Sequence, residues 1–225
     1  MLAEKDFIEI EYTGILRKND IVFDTTDEKL AKESGIYNPR MKYGPMIICI
    51  GEGHILKGLD KSLLGAEIGK EKSVELEATE AFGKKDPKLI MLVSASKFKK
   101  DNVRPFPGMQ LNIDNQIATV RSVNGGRVMV DFNHPLAGQD VSYKIKVIRK
   151  VTDPKEKVQA ELTMILNRSI PVTVEGTVAK VDLPLPEEIV KPIEEKITKI
   201  VPEIKSVEFK KPEKKPSVSE HPISE

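Results

Sequence analysis

The chain contains one cysteine, no tryptophan and only three histidines among its 225 residues. The single thiol, Cys49, excludes an intramolecular disulfide framework, and the histidines are too far apart in the sequence to have metal-ligand spacing. Cys49 lies in an apolar run, where cysteine usually behaves as a small core residue, and no neighbouring base is present to activate it. We therefore expect no metal, no cofactor and no thiol chemistry in this protein.

An excess of either charge is also missing, since 36 Lys and Arg residues face 35 Asp and Glu residues. The net charge of +1 gives no electrostatic reason to expect a nucleic acid or a membrane as the main partner. No apolar run approaches the roughly 20 residues that cross a bilayer, and the first residues lack the apolar core of a signal peptide. What is present, 39% hydrophobic and 32% charged residues, is typical of a soluble globular protein, for which we expect a cytoplasmic location.

Apolar residues alternate with polar ones in the first part of the chain, as in a sheet with one buried face. The alternation predicts strands over residues 7–12, 21–23, 46–50 and 74–78. Apolar residues recur instead at helical spacing from 55 to 64, and Gly65 is suited to end that helix. The polar stretch 25–43 is predicted to be a loop with one helical turn over 28–33. This part of the chain is therefore predicted to form a mostly antiparallel sheet with one short helix.

Between residues 84 and 133, short apolar runs are separated by turn residues. They predict strands over residues 89–93, 109–113, 116–123 and 127–132. A short helix is predicted over 94–98, and Asn124-Gly125-Gly126 is a strong hairpin signal because Asn and Gly tolerate the positive φ of tight turns. So much patterned sequence is not a structureless loop. We interpret it as a small β-rich domain inserted into the surrounding sheet, which a strand over 141–151 then closes.

The composition changes after residue 153. The spacing of apolar residues predicts a helix around Val158 and Leu162, followed by two strands over 172–174 and 178–183. A second helix is predicted over 187–200 and a last strand near 204–209. Pro192 is placed near the start of the second helix, where a helix tolerates it best. The Pro, Lys, Glu and Ser composition of residues 210–225 is that of a solvated tail.

Four short segments carry the strongest functional signal. They are Tyr12-Thr13-Gly14, Phe23-Asp24, the stretch 51–60, which is Gly-Glu-Gly-His-Ile-Leu-Lys-Gly-Leu-Asp, and Glu80-Ala81-Phe82-Gly83. In order and spacing they resemble the FKBP-type peptidyl-prolyl isomerases. Together with the segment Asn133-His134-x-Leu136-Ala137-Gly138, the insertion after Gly83 resembles the SlyD-like branch of that family.

The resemblance covers roughly the first two thirds of the chain and implies an α+β fold. It places an antiparallel FKBP half-barrel sheet around one short helix in residues 1–86 and 132–153, and a small β-rich insert-in-flap domain in residues 87–131. The C-terminal α/β unit, residues 154–209, resembles the extra domain of long archaeal FKBP proteins by layout, and a disordered tail over 210–225 would follow it. Dimerisation is the preferred role of the C-terminal unit, and docking to a ribosome or another partner is the alternative.

The resemblance also implies a mechanism without a nucleophile or metal. Rotation about an X-Pro bond crosses a barrier of roughly 18 to 20 kcal/mol that arises from amide resonance. A dry apolar cavity favours the less dipolar twisted amide, and a donor aimed at the carbonyl fixes its orientation. Position by position, the family pattern assigns the pocket to Tyr12, Phe23, Asp24, Met46, Ile55, Leu56, Leu59, Phe82, His134, Leu136, Ala137 and Tyr143.

Three of these positions depart from the family pattern. Met46 replaces an aromatic residue, Leu59 replaces a Trp that many members carry, and Phe82 replaces a flap Tyr whose hydroxyl usually donates a hydrogen bond. The smaller floor at Leu59 leaves binding of macrolide ligands open. Taken alone, Asp24 is typical of a turn, and Phe23 and Tyr143 are typical of a core.

The insert suggests a second activity. In SlyD-like proteins it binds unfolded chains, so the resemblance implies unfolded or proline-containing polypeptides as partners. More than half of the apolar residues of this small unit are expected to form its own core, and the rest to bind polypeptide. The predicted binding set is Ile90, Met91, Leu92, Val93, Phe98, Val103, Phe106 and Met109. The alternative function is a non-catalytic polypeptide-binding chaperone on an FKBP scaffold.

Overall fold

The computed structural model describes residues 1–100, 102–114 and 116–210. Apart from Lys210, the predicted tail lies outside these residues. In chain order the elements are β1 (Phe7–Leu16), β2 (Ile21–Thr25), α1 (Glu28–Glu33), β3 (Met46–Cys49), α2 (Lys57–Ser62), β4 (Glu71–Leu76), a 3-10 turn (Pro87–Leu89), β5 (Ile90–Ser94), α3 (Ala95–Lys100), β6 (Gln110–Ile113), β7 (Gln116–Asn124), β8 (Arg127–Asp131), β9 (Val141–Val151), α4 (Pro154–Leu166), β10 (Val172–Glu175), β11 (Val178–Val181), α5 (Glu187–Ile200) and β12 (Ser206–Phe209).

The first sheet has the order β2-β1-β9-β4, and β3 pairs with the start of β1. All of its pairings are antiparallel, as the alternating pattern predicts. The helix predicted from residue 55 begins two residues later, at Lys57, because the backbone of Leu56 is still extended with ψ of 136°. Gly65 adopts a φ of +71° just beyond the helix, the left-handed conformation that commonly ends helices.

The inserted segment forms a separate antiparallel sheet with the order β5-β8-β7-β6. Gly125 and Gly126 have φ values of 53° and 81° in the turn between β7 and β8, which confirms the predicted hairpin. One face of this sheet packs on α3 around a small core. That core consists of Phe98, Ala118, Val120, Val128 and Val130.

The expected polypeptide-binding set needs one correction here. Phe98 is only 6% exposed and lies in the core of the insert, so its prediction as a binding residue is wrong. Val93, Val103 and Met109 are half-buried and pack against the same core. Periodicity marks Phe98 as apolar but does not show which side of a six-residue helix faces the sheet.

The C-terminal segment folds as a three-stranded sheet with two helices. β10 pairs antiparallel with β11, and β11 pairs parallel with β12. Because α5 begins at Glu187, Pro192 is its sixth residue and not one of its first, which corrects the predicted placement. Pro192 leaves the carbonyl of Glu188 without its helical donor. The helix continues because Ile193, Ile197 and Ile200 bury its apolar face.

The C-terminal segment packs on the isomerase-like sheet rather than standing apart. Phe7, Cys49 and Val151 of the first sheet share one buried cluster with Val158 and Leu162 of α4. Cys49 is fully buried, as expected of a core cysteine, and burial raises the pKa of its thiol to about 12. Within the described residues, no helix has the length and apolar character needed to cross a bilayer.

Candidate active site

A cluster of aromatic rings lies where β1, β2 and β9 meet the segment after β4. Phe23 contacts Tyr143 edge-on, with ring centroids 5.8 Å apart, and Phe82 at 5.7 Å. Tyr12 approaches Tyr143 at 5.9 Å. Edge-to-face contacts at these distances are favourable for aromatic pairs. The structure thus brings together four residues that are far apart in the sequence and that the family pattern assigns to one pocket.

Gly14 lets the rings of Phe23 and Tyr143 come close to the backbone of β1. A Cβ atom at this position would lie 2.7 Å from Cζ of Phe23 and 2.9 Å from Cε1 of Tyr143, which is closer than real contacts allow. Gly14 is also buried in the middle of β1, where glycine weakens a strand unless another group approaches closely. The predicted site set omits Gly14, although it stands in the Tyr12-Thr13-Gly14 segment that carried the resemblance.

Tyr12 and Asp24 form the polar part of the cluster. The Tyr12 hydroxyl donates a 2.9 Å hydrogen bond to Oδ2 of Asp24. Burial raises the pKa of Tyr12, and the neighbouring carboxylate raises it further, so the hydroxyl keeps its proton. Burial also raises the pKa of Asp24, while the hydrogen bond from Tyr12 opposes that rise. The hydrogen bond from Tyr12 therefore fixes the orientation of the Asp24 carboxyl, and no salt bridge reaches this carboxyl among the residues that the structure describes.

The first residue of β3 and the residues just before and within α2 pack on the same core as the aromatic cluster. Leu59 is 1% exposed, whereas Met46, Ile55 and Leu56 are half-buried and pack on the same core. The backbone N–H groups of Ile55 and Leu56 meet no acceptor among the residues that the structure describes. This turn therefore offers donors next to the aromatic cluster, as the family pattern implies.

The flap, which consists of residues 81–83 before the insert and 134–138 after it, borders the aromatic cluster on its remaining side. Phe82 stacks on His134 with centroids 4.6 Å apart and an angle of 2° between the rings. The N–H of Gly138 donates to the Gly83 carbonyl at 2.8 Å, which joins the outgoing and returning chains. Leu136 is half-buried and Ala137 is buried on the returning chain. The N–H of Leu136 donates to Nδ1 of His134 at 3.2 Å, which links the returning chain to the ring that stacks on Phe82.

A polar clamp, formed by Asp86, Asp131 and Asn133, lies where the chain enters and leaves the insert. Asn133 accepts from the Asp86 N–H at 2.8 Å and donates to the Asp86 carbonyl at 3.0 Å and to Asp131 Oδ1 at 2.7 Å. Although burial opposes it, these hydrogen bonds and the charges of Arg121 and Lys85 lower the pKa of Asp131. No local sequence pattern indicates this clamp, because Asp86 and Asn133 are 47 residues apart.

Two family models match this chain, one over the part that holds most of the pocket and one over the insert. A family model for FKBP-type peptidyl-prolyl cis-trans isomerases matches residues 1–98, and a model for the FKBP26 IF domain matches residues 91–136. The second match overlaps the sheet formed by β5 to β8.

Three curated relatives are similar to this chain in sequence. The short-type peptidyl-prolyl cis-trans isomerase of Methanocaldococcus jannaschii is 31% identical over 147 residues, which are 65% of this chain and 92% of that protein. The FKBP-type 16 kDa isomerase of Escherichia coli is 32% identical over 108 residues, 46% of this chain and 72% of that protein. The isomerase SlyD of Helicobacter pylori is 30% identical over 130 residues, 56% of this chain and 63% of that protein.

These relatives are named as catalysts, which favours an enzyme over the alternative of a non-catalytic binding protein. The M. jannaschii protein is matched over nearly its whole length, and the aromatic pocket and the inserted sheet agree with that match. The chain therefore belongs to the FKBP-type peptidyl-prolyl cis-trans isomerase family, in its SlyD-like branch with an insert in the flap, and it is a peptidyl-prolyl cis-trans isomerase.

Proposed function

We propose that this isomerase acts on proline-containing segments of unfolded proteins, that it holds them through the insert, and that it is therefore also a chaperone. The observation that carries the proposal is the set of large apolar side chains that the insert leaves in solvent. Four of them are more than half exposed, namely Met91 (52%), Leu92 (61%), Phe106 (60%) and Ile117 (68%).

In the isomerase pocket, the proline ring of the substrate would lie among Tyr12, Phe23, Phe82 and Tyr143 on the floor formed by Leu59. The rings exclude water, so the planar amide loses solvation that favours it over the twisted form. The N–H groups at Ile55 and Leu56 would bind a substrate carbonyl and fix the peptide while the X-Pro bond rotates. No covalent step is needed, and Tyr12 and Asp24 keep their protonation states throughout.

The open face of the inserted sheet is suited to an extended chain. Val93 and Val128 face the core of the insert, so their neighbours Leu92 and Met129, which pair across β5 and β8, lie on the opposite face. Ile117 lies on that face of β7, because the adjacent Ala118 is buried. β5 is an edge strand, and its free edge would accept main-chain hydrogen bonds from a client.

The charge of the insert favours one class of client. Residues 87–131 contain seven Lys and Arg residues against three Asp and no Glu, although the whole chain is nearly neutral. Of the three acidic residues, Asp131 is buried beside Arg121, and Asp114 contacts Lys97 at 3.2 Å. The insert therefore has a formal net charge of +4, and we expect it to prefer unfolded segments that combine apolar and acidic residues.

The test replaces Leu92 and Ile117 together by serine in the full chain. We expect isomerisation of a short prolyl peptide to stay within about twofold of the parent rate, because neither residue contacts the pocket. Suppression of aggregation of an unfolded protein, and acceleration of proline-limited refolding, should each fall about tenfold because the local concentration of client beside the pocket is lost.

The matched control replaces Ile165 and Ile189, two exposed apolar residues outside the insert, by serine. This variant should behave like the parent in all three assays. If it loses refolding activity as strongly as the insert variant, or if the insert variant loses peptide activity equally, the division between pocket and insert is refuted.

A homodimer through the C-terminal domain stays a prediction. The apolar surface that suggested it is covered within one chain, since Phe7, Cys49 and Val151 bury it. The outer face of the C-terminal sheet carries Thr173, Lys180 and Glu208. Light scattering on the full chain measures the mass directly, and a value near 25.1 kDa would exclude the dimer.

A further inference from the structure

His54 connects the C-terminal domain to the turn that borders the isomerase pocket. Its Nδ1 accepts a 3.0 Å hydrogen bond from the backbone N–H of Cys49. That nitrogen therefore has no proton, and in the neutral ring the proton lies on Nε2. Nε2 lies 3.0 Å from Oε2 of Glu161, which belongs to α4. The residues that follow His54 are Ile55 and Leu56, whose N–H groups meet no acceptor among the described residues and whose side chains pack on the same core as the aromatic cluster.

Glu161 is fully buried and ionised at this contact. Its other oxygen lies 2.6 Å from Nζ of Lys196 in α5. Although burial opposes ionisation, His54 and Lys196 lower the pKa of the Glu161 carboxyl below its ordinary value. Neither oxygen has a well-aligned hydrogen bond, so charge and proximity hold the group in place. A buried charge of this kind is strongly destabilising when its partner is removed.

The loop over residues 51–54, which carries His54, is held by side chains of other elements. Gly51 and Gly53 both have positive φ, at 88° and 71°, and two glycines so close together make this segment conformationally free. At one end, the N–H of Gly51 donates a 2.9 Å hydrogen bond to Oδ2 of Asp60 in α2. At the other end, the anchor is His54, whose side chain is 4% exposed and is directed at Glu161.

We propose that Glu161 is a positioning residue of the isomerase, which holds the donor turn at Ile55 and Leu56 in place through His54. The C-terminal domain is then part of the catalytic apparatus and not a passive attachment. The inference rests on the pocket proposed above, in which this turn binds the substrate carbonyl.

The primary test is Glu161→Gln in the full chain, which keeps the volume of the side chain and removes its charge. We expect kcat/KM for a prolyl peptide to fall about 3- to 10-fold, mainly through a rise in KM, because a mispositioned donor weakens substrate binding. In two-dimensional NMR spectra, the amide resonances of Ile55 and Leu56 should shift, whereas that of Tyr143 in β9 should not.

The matched control is Val158→Ala, which loosens the packing of the same helix without touching His54. It should lower the thermal midpoint of unfolding and leave KM and the two amide resonances unchanged. If Glu161→Gln leaves KM and both resonances unchanged, or if Val158→Ala changes them equally, the proposal is wrong. The second outcome would assign the effect to general destabilisation of the domain contact.

A second variant keeps the proposal testable if Glu161→Gln does not fold. His54→Asn retains an acceptor for the Cys49 N–H and removes only the group that reaches Glu161, so it should reproduce the rise in KM. Asp24→Ala in the pocket separates the two hypotheses. If this variant has parental activity, the pocket itself is misassigned, whereas a loss with Asp24→Ala and none with His54→Asn refutes only the role of Glu161.

Discussion

At the scale of single residues, the pocket depends on side chains that touch without room for another atom. Phe23 and Tyr143 both converge on the hydrogen atoms of Gly14. Gly58 has the same role on α2, where an added Cβ would lie 2.6 Å from Cδ2 of Leu76 and 3.2 Å from Cβ of Glu80. These two glycines let the sheet and the flap approach the cavity, and a methyl group at either position must displace its wall.

Gly14→Ala should therefore damage the pocket more than the fold. The new methyl group pushes the rings of Phe23 and Tyr143 apart, and overpacking of this kind costs typically about 1–3 kcal/mol of stability. We expect kcat/KM for a prolyl peptide to fall at least about tenfold, since misplacement by about 1 Å has large kinetic effects. Glu11→Ala on the opposite face of the same strand is the control, and equal losses in the two variants would contradict the prediction.

Phe82 offers the reverse experiment. The family usually has a Tyr here, and a hydroxyl added in Phe82→Tyr supplies a donor at the edge of the cavity. A hydrogen bond of this kind is worth roughly 0.5–1.5 kcal/mol, so kcat should rise by up to about tenfold if the bond forms only in the transition state. Protease-coupled kinetics measure the change. An unchanged or lower rate would show that the Phe82 ring, which stacks on His134, does not point its edge at the substrate.

At the scale of elements, the insert and the isomerase sheet are joined by two chain crossings and by the side chain of Asn133, which links the two crossings. Asn133 is buried between the chain entering the insert at Asp86 and the chain leaving it at Asp131. The N–H of Phe132 also donates to the carbonyl of Leu89 at 2.9 Å, just inside the insert. The orientation of the inserted sheet toward the pocket therefore depends on a few hydrogen bonds at its base.

Asn133→Ala should uncouple the two sites. It removes the hydrogen bonds to the backbone N–H and carbonyl of Asp86, and the loss of a hydrogen bond of this kind costs about 0.5–1.5 kcal/mol. Peptide isomerisation should change less than twofold, while acceleration of protein refolding should drop because the client is no longer held near the pocket. Urea unfolding and both kinetic assays check this, with Asn112→Ala on the exposed surface of β6 as the control. Equal loss in the two activities would argue against the clamp.

At the scale of the whole molecule, the C-terminal domain and the isomerase domain share one core and one buried ionic cluster. The core holds Cys49 and Val151 against α4 and α5, and the cluster joins His54, Glu161 and Lys196. A further contact on the surface links Arg149 of β9 to Glu156 of α4 at 2.8 Å. The two domains are thus expected to unfold as one cooperative unit.

Acid should weaken this unit through Glu161. The pKa of its carboxyl is lower in the folded chain than its ordinary value of 4.5. At pH values between the folded pKa and 4.5, the carboxyl is therefore protonated in the unfolded chain and ionised in the folded one. The stability that the ionised group contributes is present above pH 4.5 and is lost as the pH falls through the folded pKa. Urea unfolding at a series of pH values from 7 to 3 should show a shallower acid loss for Glu161→Gln than for the parent. If stability falls in parallel for the two proteins as the pH is lowered, Glu161 does not contribute to the acid sensitivity.

Much of the secondary structure follows from local patterns. The alternation of β1, the helical spacing at Leu59 and the Asn-Gly-Gly turn each depend on neighbours within a few residues, and the structure confirms them. The predicted start of α2 is two residues too early, because the half-buried pair Ile55 and Leu56 fits the apolar period of a helix without being helical. The prediction of Phe98 as a polypeptide-binding residue fails for a related reason, since periodicity shows that a residue is apolar but not which residues it packs against.

The sequence by itself determined the family, the order of the strands along the chain, the interruption of the flap and the residue types of the pocket, because each is encoded in short motifs and in periodicity. Only the tertiary structure decided that Gly14 admits the aromatic rings, that Asn133 joins the two crossings, and that Glu161 reaches His54. These contacts join residues separated by tens of positions or more along the chain, and no local pattern records a distance that is set by how sheets and helices pack.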